Sequence, residues 1–189
     1  AAGVNLASVN YYFGDKETLY VETVRVARQM RAAQADLPQR DSELPPEEQL
    51  RQFVRGLLTR MLGQSETTWQ SQLMLREILQ PTRACREMVH EHFRPDFEHM
   101  QKILSQLLPD GTSPRTVRQV AFSLVGQCMF YRVAGDVVRM LVSEEEYDER
   151  YSIDALAEHI YYVLLAAVGK CRSVVTCPTA SHATSKMTN

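Results

Sequence analysis

Three side chains of metal-ligating type stand at a regular spacing in this sequence: Cys85, His92 and His99, seven residues apart within one apolar-periodic stretch. On a helix that spacing puts them near one face but about 10 Å apart along the axis, too far for three ligands to share one ion. No metal or other cofactor is therefore expected. A Cys and a His could also form a nucleophile and base, but no local pattern pairs them, and G-x-S-x-G, H-E-x-x-H and phosphate-binding glycine loops are all missing. With only eight glycines in the chain, the expected chemistry is binding, not catalysis. A small-molecule pocket between helices is mostly apolar, with a few polar groups that orient the ligand. Trp69, Met74, Met88, Phe93, Phe97, Cys128, Met129 and Tyr131 are the candidate lining. Glu77, His90, His92 and Arg132 are the candidate orienting groups.

A second set of recognition groups lies in the opening stretch AAGVNLASVNYYFGDKETLY. Gly3 can close one helix, and Asn5 can cap the next by accepting an orphan backbone N–H. In the short helix that follows, Val4, Val9 and Phe13 turn to a core, leaving Leu6, Ala7, Ser8, Asn10 and Tyr11 outward. Gly14 ends it, and Asp15 caps a longer helix with Lys16 in its first turn.

This stretch resembles the TetR family of transcriptional regulators, whose pattern here is Ala-Gly-Val, a recognition helix, an aromatic-aromatic-Phe run and Asp-Lys-Glu-x-Leu. The resemblance implies that the short helix enters the DNA major groove. Leu6, Ala7 and Asn10 would then face base edges, while Ser8, Tyr11, Tyr12 and Lys16 would contact the backbone. Asn10 suits an adenine edge, Leu6 and Ala7 a thymine methyl, and Lys16 a phosphate. The family's DNA-binding domain has a complete first helix and most of a second ahead of these residues. The stretch from Ala1 corresponds to its later part, so binding to a double-stranded operator is expected where the whole unit is present. Without it, the alternative is a helical ligand-binding or dimerisation module. The runs MLREILQPT, HEHFRPDFEHM and SLVGQCMFYRVA also resemble the effector domain of the CecR-like branch of TetR regulators.

The elements that must position these groups read as helices throughout, with no strand alternation and no hairpin signal. The expected fold is all-α: a partial helix-turn-helix followed by a helical effector-binding and dimerisation bundle. Residues 1–36 form the later part of the DNA-binding domain with its connecting helix. The polar stretch 37–46, with Pro38, Pro45 and Pro46, reads as a linker. Residues 47–170 form the helical domain, and the Ser/Thr-rich stretch 171–189 reads as a disordered tail. Pro95 predicts a kink or break in the helical region from Cys85 to Leu108. Ser113 caps a helix with Pro114 at its first position. That helix is followed by a shorter apolar piece from Val137 to Val142, then by an acidic turn at Glu144, Glu145 and Glu146.

The last helix, from Ile153 to Val168, is apolar on two faces and so needs two neighbours. One is the chain's own core. The resemblance implies that the other is a second subunit, because the family dimerises through its last two long helices. Gln119, Phe122, Ser123, Gly126, Ile153, Leu156, Ile160 and Leu164 are the expected interface of a homodimer.

Composition agrees with this class. The chain has 189 residues, 44% of them hydrophobic, enough for a real core, and a net charge of -2 that excludes diffuse nucleic-acid binding over the whole surface. Cys85, Cys128, Cys171 and Cys177 are scattered without a C-x-x-C pair, which suits a reducing cytoplasm. No apolar run has the length of a membrane span, so no membrane partner is expected. The implied function is a TetR-like regulator, a repressor as is usual in that family, whose operator binding a small-molecule effector modulates.

Overall fold

The computed structural model describes residues 15–33, 35–63 and 69–170, and among them there is helix and no strand. The helices are α1 (Lys16–Ala32), α2 (Pro46–Leu62), α3 (Trp69–Leu79), α4 (Arg83–Met88), α5 (Arg94–Leu107), α6 (Pro114–Leu141), α7 (Glu144–Arg150) and α8 (Ile153–Lys170), with a π turn at Val89–Phe93 between α4 and α5. The chain is all-α.

Local chemistry accounts for the helix starts. Asp15 caps α1 by accepting the Thr18 amide at 2.7 Å. Ser113 caps α6 through the Thr116 amide at 3.1 Å, with Pro114 supplying a preset φ at the first position. Glu47 and Glu48 in the first turn of α2 and Arg60 in its last turn complement the helix dipole. The acidic run Glu144–Glu146, expected as a turn, opens α7 instead, because Ser143 caps it and the three carboxylates favour a helix N-terminus. Likewise α6 runs unbroken for 28 residues, where a separate piece from Val137 was expected. Pro95 does not break the chain's helical path. Its ring and missing N–H are accommodated by the π turn just before it, where the Arg94 amide donates to the Val89 carbonyl.

Two separate apolar clusters hold these helices. The larger contains Leu50, Phe53, Val54 and Leu58 of α2, Met100, Ile103 and Leu104 of α5, Ala121, Leu124 and Cys128 of α6, and Leu156, Ile160 and Leu164 of α8. The smaller joins Val24 of α1 to Ala84, Cys85 and Met88 of α4, with Tyr20, Val21, Leu73 and Met74 packed around them. Helix α1 thus docks on α3 and α4.

The proline-rich stretch expected as a linker is fastened to the bundle. Leu37 packs into the larger core. Arg60 Nε donates to the Ala35 carbonyl at 2.9 Å, and Gln49 Nε2, from a buried side chain, donates to the Leu44 carbonyl at 2.6 Å. Gly56 permits the close approach, since a Cβ there would lie 2.8 Å from the Asp36 carbonyl oxygen. Proline composition alone could not distinguish such a strap from a free linker.

Candidate functional site

The smaller core is built around a buried carboxylate. Glu77 of α3 is 0% exposed. Its Oε1 accepts the Tyr20 hydroxyl of α1 at 2.6 Å. Its Oε2 accepts the Thr82 hydroxyl at 2.7 Å, the Thr82 amide at 3.2 Å and the Cys85 amide at 3.1 Å. Burial pushes the Glu77 carboxyl upward, but the hydrogen bonds from Tyr20, Thr82 and Cys85 outweigh it and leave the group below the usual glutamate range. Burial, followed by the bond to Glu77, raises the Tyr20 phenol. Thr82 also caps α4 by accepting the Ala84 amide at 3.2 Å, so one residue both starts a helix and holds the carboxylate. Tyr20 and Thr82 did not emerge from the sequence as site residues. The proline before Thr82 and the helix after it were the only local signal for that cap; Tyr20 carried none.

The other candidate ligand residues are divided, not gathered. Met74 and Met88 lie with Glu77 in the smaller core. Cys128, fully buried, belongs to the larger core, where burial pushes its thiol up to about 12, and Phe97 and Tyr131 pack against that core. Phe97 lies 4.7 Å from Phe122, ring to ring, and Tyr131 meets Tyr151 edge-on. Met129 and Arg132 are half-buried on α6. His92 is half-buried near Glu91, its pKa lowered first by burial and then by Arg28. Trp69, Phe93 and His90 are exposed. The expected lining therefore straddles two cores, because sequence periodicity marks inward faces without saying which core they enter. Cys85 and His99 are separated in the same way: His99 sits in the larger unit, edge-on to Phe53, with its Nε2 buried and unpartnered.

Among the described residues a groove of about 360 Å³ lies between the strap and α2, lined by Leu37, Pro38, Gln52, Arg55 and Thr59 among others. No sequence signal pointed there.

The expected subunit contact divides as well. Gln119, Phe122, Ser123 and Gly126 are exposed along the outer face of α6, and the stripe continues through Phe130, Val133, Val137 and Met140. On α8, however, Leu156, Ile160 and Leu164 are buried in the chain's own core and Ile153 packs against it, so these residues are corrected from partner-facing to core. Helix α2 covers that face of α8: Arg51 pairs with Glu158 at 2.7 Å and lies 4.4 Å from the Tyr161 ring centre. The large apolar side chains that α8 exposes, among the described residues, are Tyr162 and Val163.

Of the expected DNA contacts, Lys16 is exposed in the first turn of α1. Leu6, Ala7, Ser8, Asn10, Tyr11 and Tyr12 lie outside the described residues.

Residues 46–168 match the family model described as the C-terminal domain of the HTH-type transcriptional dual regulator CecR. The chain belongs to the CecR family of TetR-like regulators. It is 25% identical over 163 residues to the HTH-type transcriptional dual regulator CecR of Shigella flexneri, covering 78% of this chain and 70% of that protein. The matched region begins with α2 and ends in α8, so it contains the buried residues of the larger core together with α3 and α4. Helix α1 and the strap lie ahead of the matched region.

Proposed function

We propose that this protein is a DNA-binding transcriptional regulator of the TetR kind, a repressor working on chromosomal DNA in the cytoplasm, and not an enzyme. The observation that carries the proposal is the continuity of two parts. The opening motif runs directly into the capped start of α1 at Asp15 and Lys16, and α1 packs on α3 and α4 of the CecR-type domain. In this reading a homodimer forms across the exposed apolar face of α6 with Tyr162 and Val163 of α8. It carries two recognition helices about 34 Å apart for successive major grooves. A small-molecule effector held by the helical domain favours a conformation with a different separation and so weakens operator binding.

The test is a gel-shift titration of the native, full-length protein against genomic fragments over a salt series. A retained fragment whose affinity falls with salt, and survives competitor DNA, supports the reading. Absence of any specific retardation overturns it in favour of a ligand-binding or dimerisation module.

A further inference from the structure

We propose that Glu77 is a pin that joins α1, α3 and α4 into one cooperative body. The pin itself is independent of DNA; its use in signalling rests on the function proposed above.

The argument starts from the size of the smaller core. Among the described residues it has four buried apolar members, of which α1 contributes Val24, and Ala27 of α1 is buried as well. Such apolar contact is non-directional, whereas a water-excluded carboxylate is sensitive to the loss of any donor. The four bonds to Glu77 come from α1, from the residue that caps α4, and from the first turn of α4, while Glu77 itself belongs to α3. All are satisfied together only when the three helices are docked in one arrangement. Tyr20 is the donor from α1, and Oε1 has it as partner while Oε2 keeps the other three. Those donors are neutral groups, so the join does not depend on an ion pair that salt would screen. A weaker contact reinforces it, from Gln70 of α3 to the Met30 sulfur of α1 at 3.7 Å.

Pro95 marks one edge of that body. The proline has no N–H to give back to the preceding turn, and a widened π turn replaces the regular ladder where α4 of the smaller core runs into α5 of the larger. At the other edge α1 leads into the strap, which Leu37 and the Arg60 bond to the Ala35 carbonyl fasten to the larger core.

Hydrogen exchange of the native protein, followed by mass spectrometry, tests this with Tyr20→Phe and Glu77→Gln. Tyr20→Phe removes one oxygen and leaves three donors on the carboxylate, so it keeps the test decisive if Glu77→Gln does not fold. The expected result is about tenfold faster exchange in α1, α3 and α4 together, with α2, α5, α6 and α8 unchanged. Unchanged exchange, acceleration in α1 alone, or equal acceleration throughout the chain would each overturn the proposal. A second arm adds an operator fragment selected by the gel-shift. In the wild type, protection on DNA binding should extend from α1 into α3 and α4, and in Tyr20→Phe it should stop at α1. Protection that reaches α3 and α4 equally in both proteins would overturn the pin. A wild type that binds no DNA would remove the regulatory reading, while the first arm would still decide on the pin.

Discussion

Replacing Val133 tests the proposed subunit face where the structure gives a magnitude. Val133 is 56% exposed on the outer stripe of α6, opposite the buried Leu124 and Cys128. Val133→Ala removes two methyl equivalents, each worth about 0.8 kcal/mol when fully transferred from water. Slightly more than half of that remains to be gained on association, and a two-fold interface counts the residue twice. The sum is about 2 kcal/mol, or roughly a 20- to 30-fold rise in dimer Kd. Val133→Glu also sets a carboxylate in the contact and should leave the protein monomeric at micromolar concentration. Sedimentation velocity over a concentration series reads both. Leu79→Glu, at a side chain 67% exposed on α3, is the control and should leave association unchanged. Ile160→Ala should behave differently again: Ile160 is fully buried within one chain, so truncation should cost about 2–5 kcal/mol of folding stability, seen in urea melts before any change in association. A monomeric wild type, a Val133→Glu dimer of unchanged affinity, or equal loss in Leu79→Glu would refute the assignment of this face.

Three further outcomes are expected. Asn10→Ala should relax preference at one base pair by roughly 1–3 kcal/mol, while Lys16→Ala should weaken all sequences alike and lower the salt slope by about one; gel-shift titration separates the two. Gly56→Ala should lower the urea midpoint, because a Cβ 2.8 Å from the Asp36 carbonyl forces the strap outward at about 1–3 kcal/mol, against about 1 kcal/mol gained in helix propensity. A variant more stable than the wild type would show that the strap is not seated on α2. Burial, followed by Arg40 and Lys102, lowers the pKa of His99, with Asp96 acting in the opposite direction. Its contribution is complete above the unfolded histidine pKa of about 6.5 and is lost as pH falls below it. Urea midpoints measured from pH 7.5 to 5 should therefore decline in the wild type and less steeply in His99→Phe; parallel slopes would exclude His99 as the cause.

How much of this was legible in the sequence depended on whether the deciding chemistry is local. The caps at Asp15 and Ser113 were readable because cap and helix lie within four residues of each other. Pro95 announced a disturbance, but whether the helix breaks or widens depends on packing at both ends of α5. The fastening of the strap was not legible because Pro38, Pro45 and Pro46 describe backbone restriction, whereas the contacts come from Arg60, Gln49 and Gly56 on α2. On α8 two apolar faces of similar character gave no means of ranking them. The choice was made by α2, whose Arg51 covers Tyr161 and pairs with Glu158.

Glu77 shows why the candidate pocket residues scattered. In the run Met74-Leu75-Arg76-Glu77-Ile78-Leu79 a lone carboxylate on an inward position reads as a group placed to meet a ligand. The structure satisfies it internally instead, with donors 57 residues before it and five and eight residues after it. A carboxylate fully bonded by the protein has little left to offer a ligand, and removing its donors would leave a buried charge uncompensated. The same feature that weakens Glu77 as an orienting residue makes it effective as a joint, since its bonds are complete in only one arrangement of α1, α3 and α4. In the proposed function, effector recognition and transmission to α1 therefore need not share residues, and the search for an effector site moves away from Glu77.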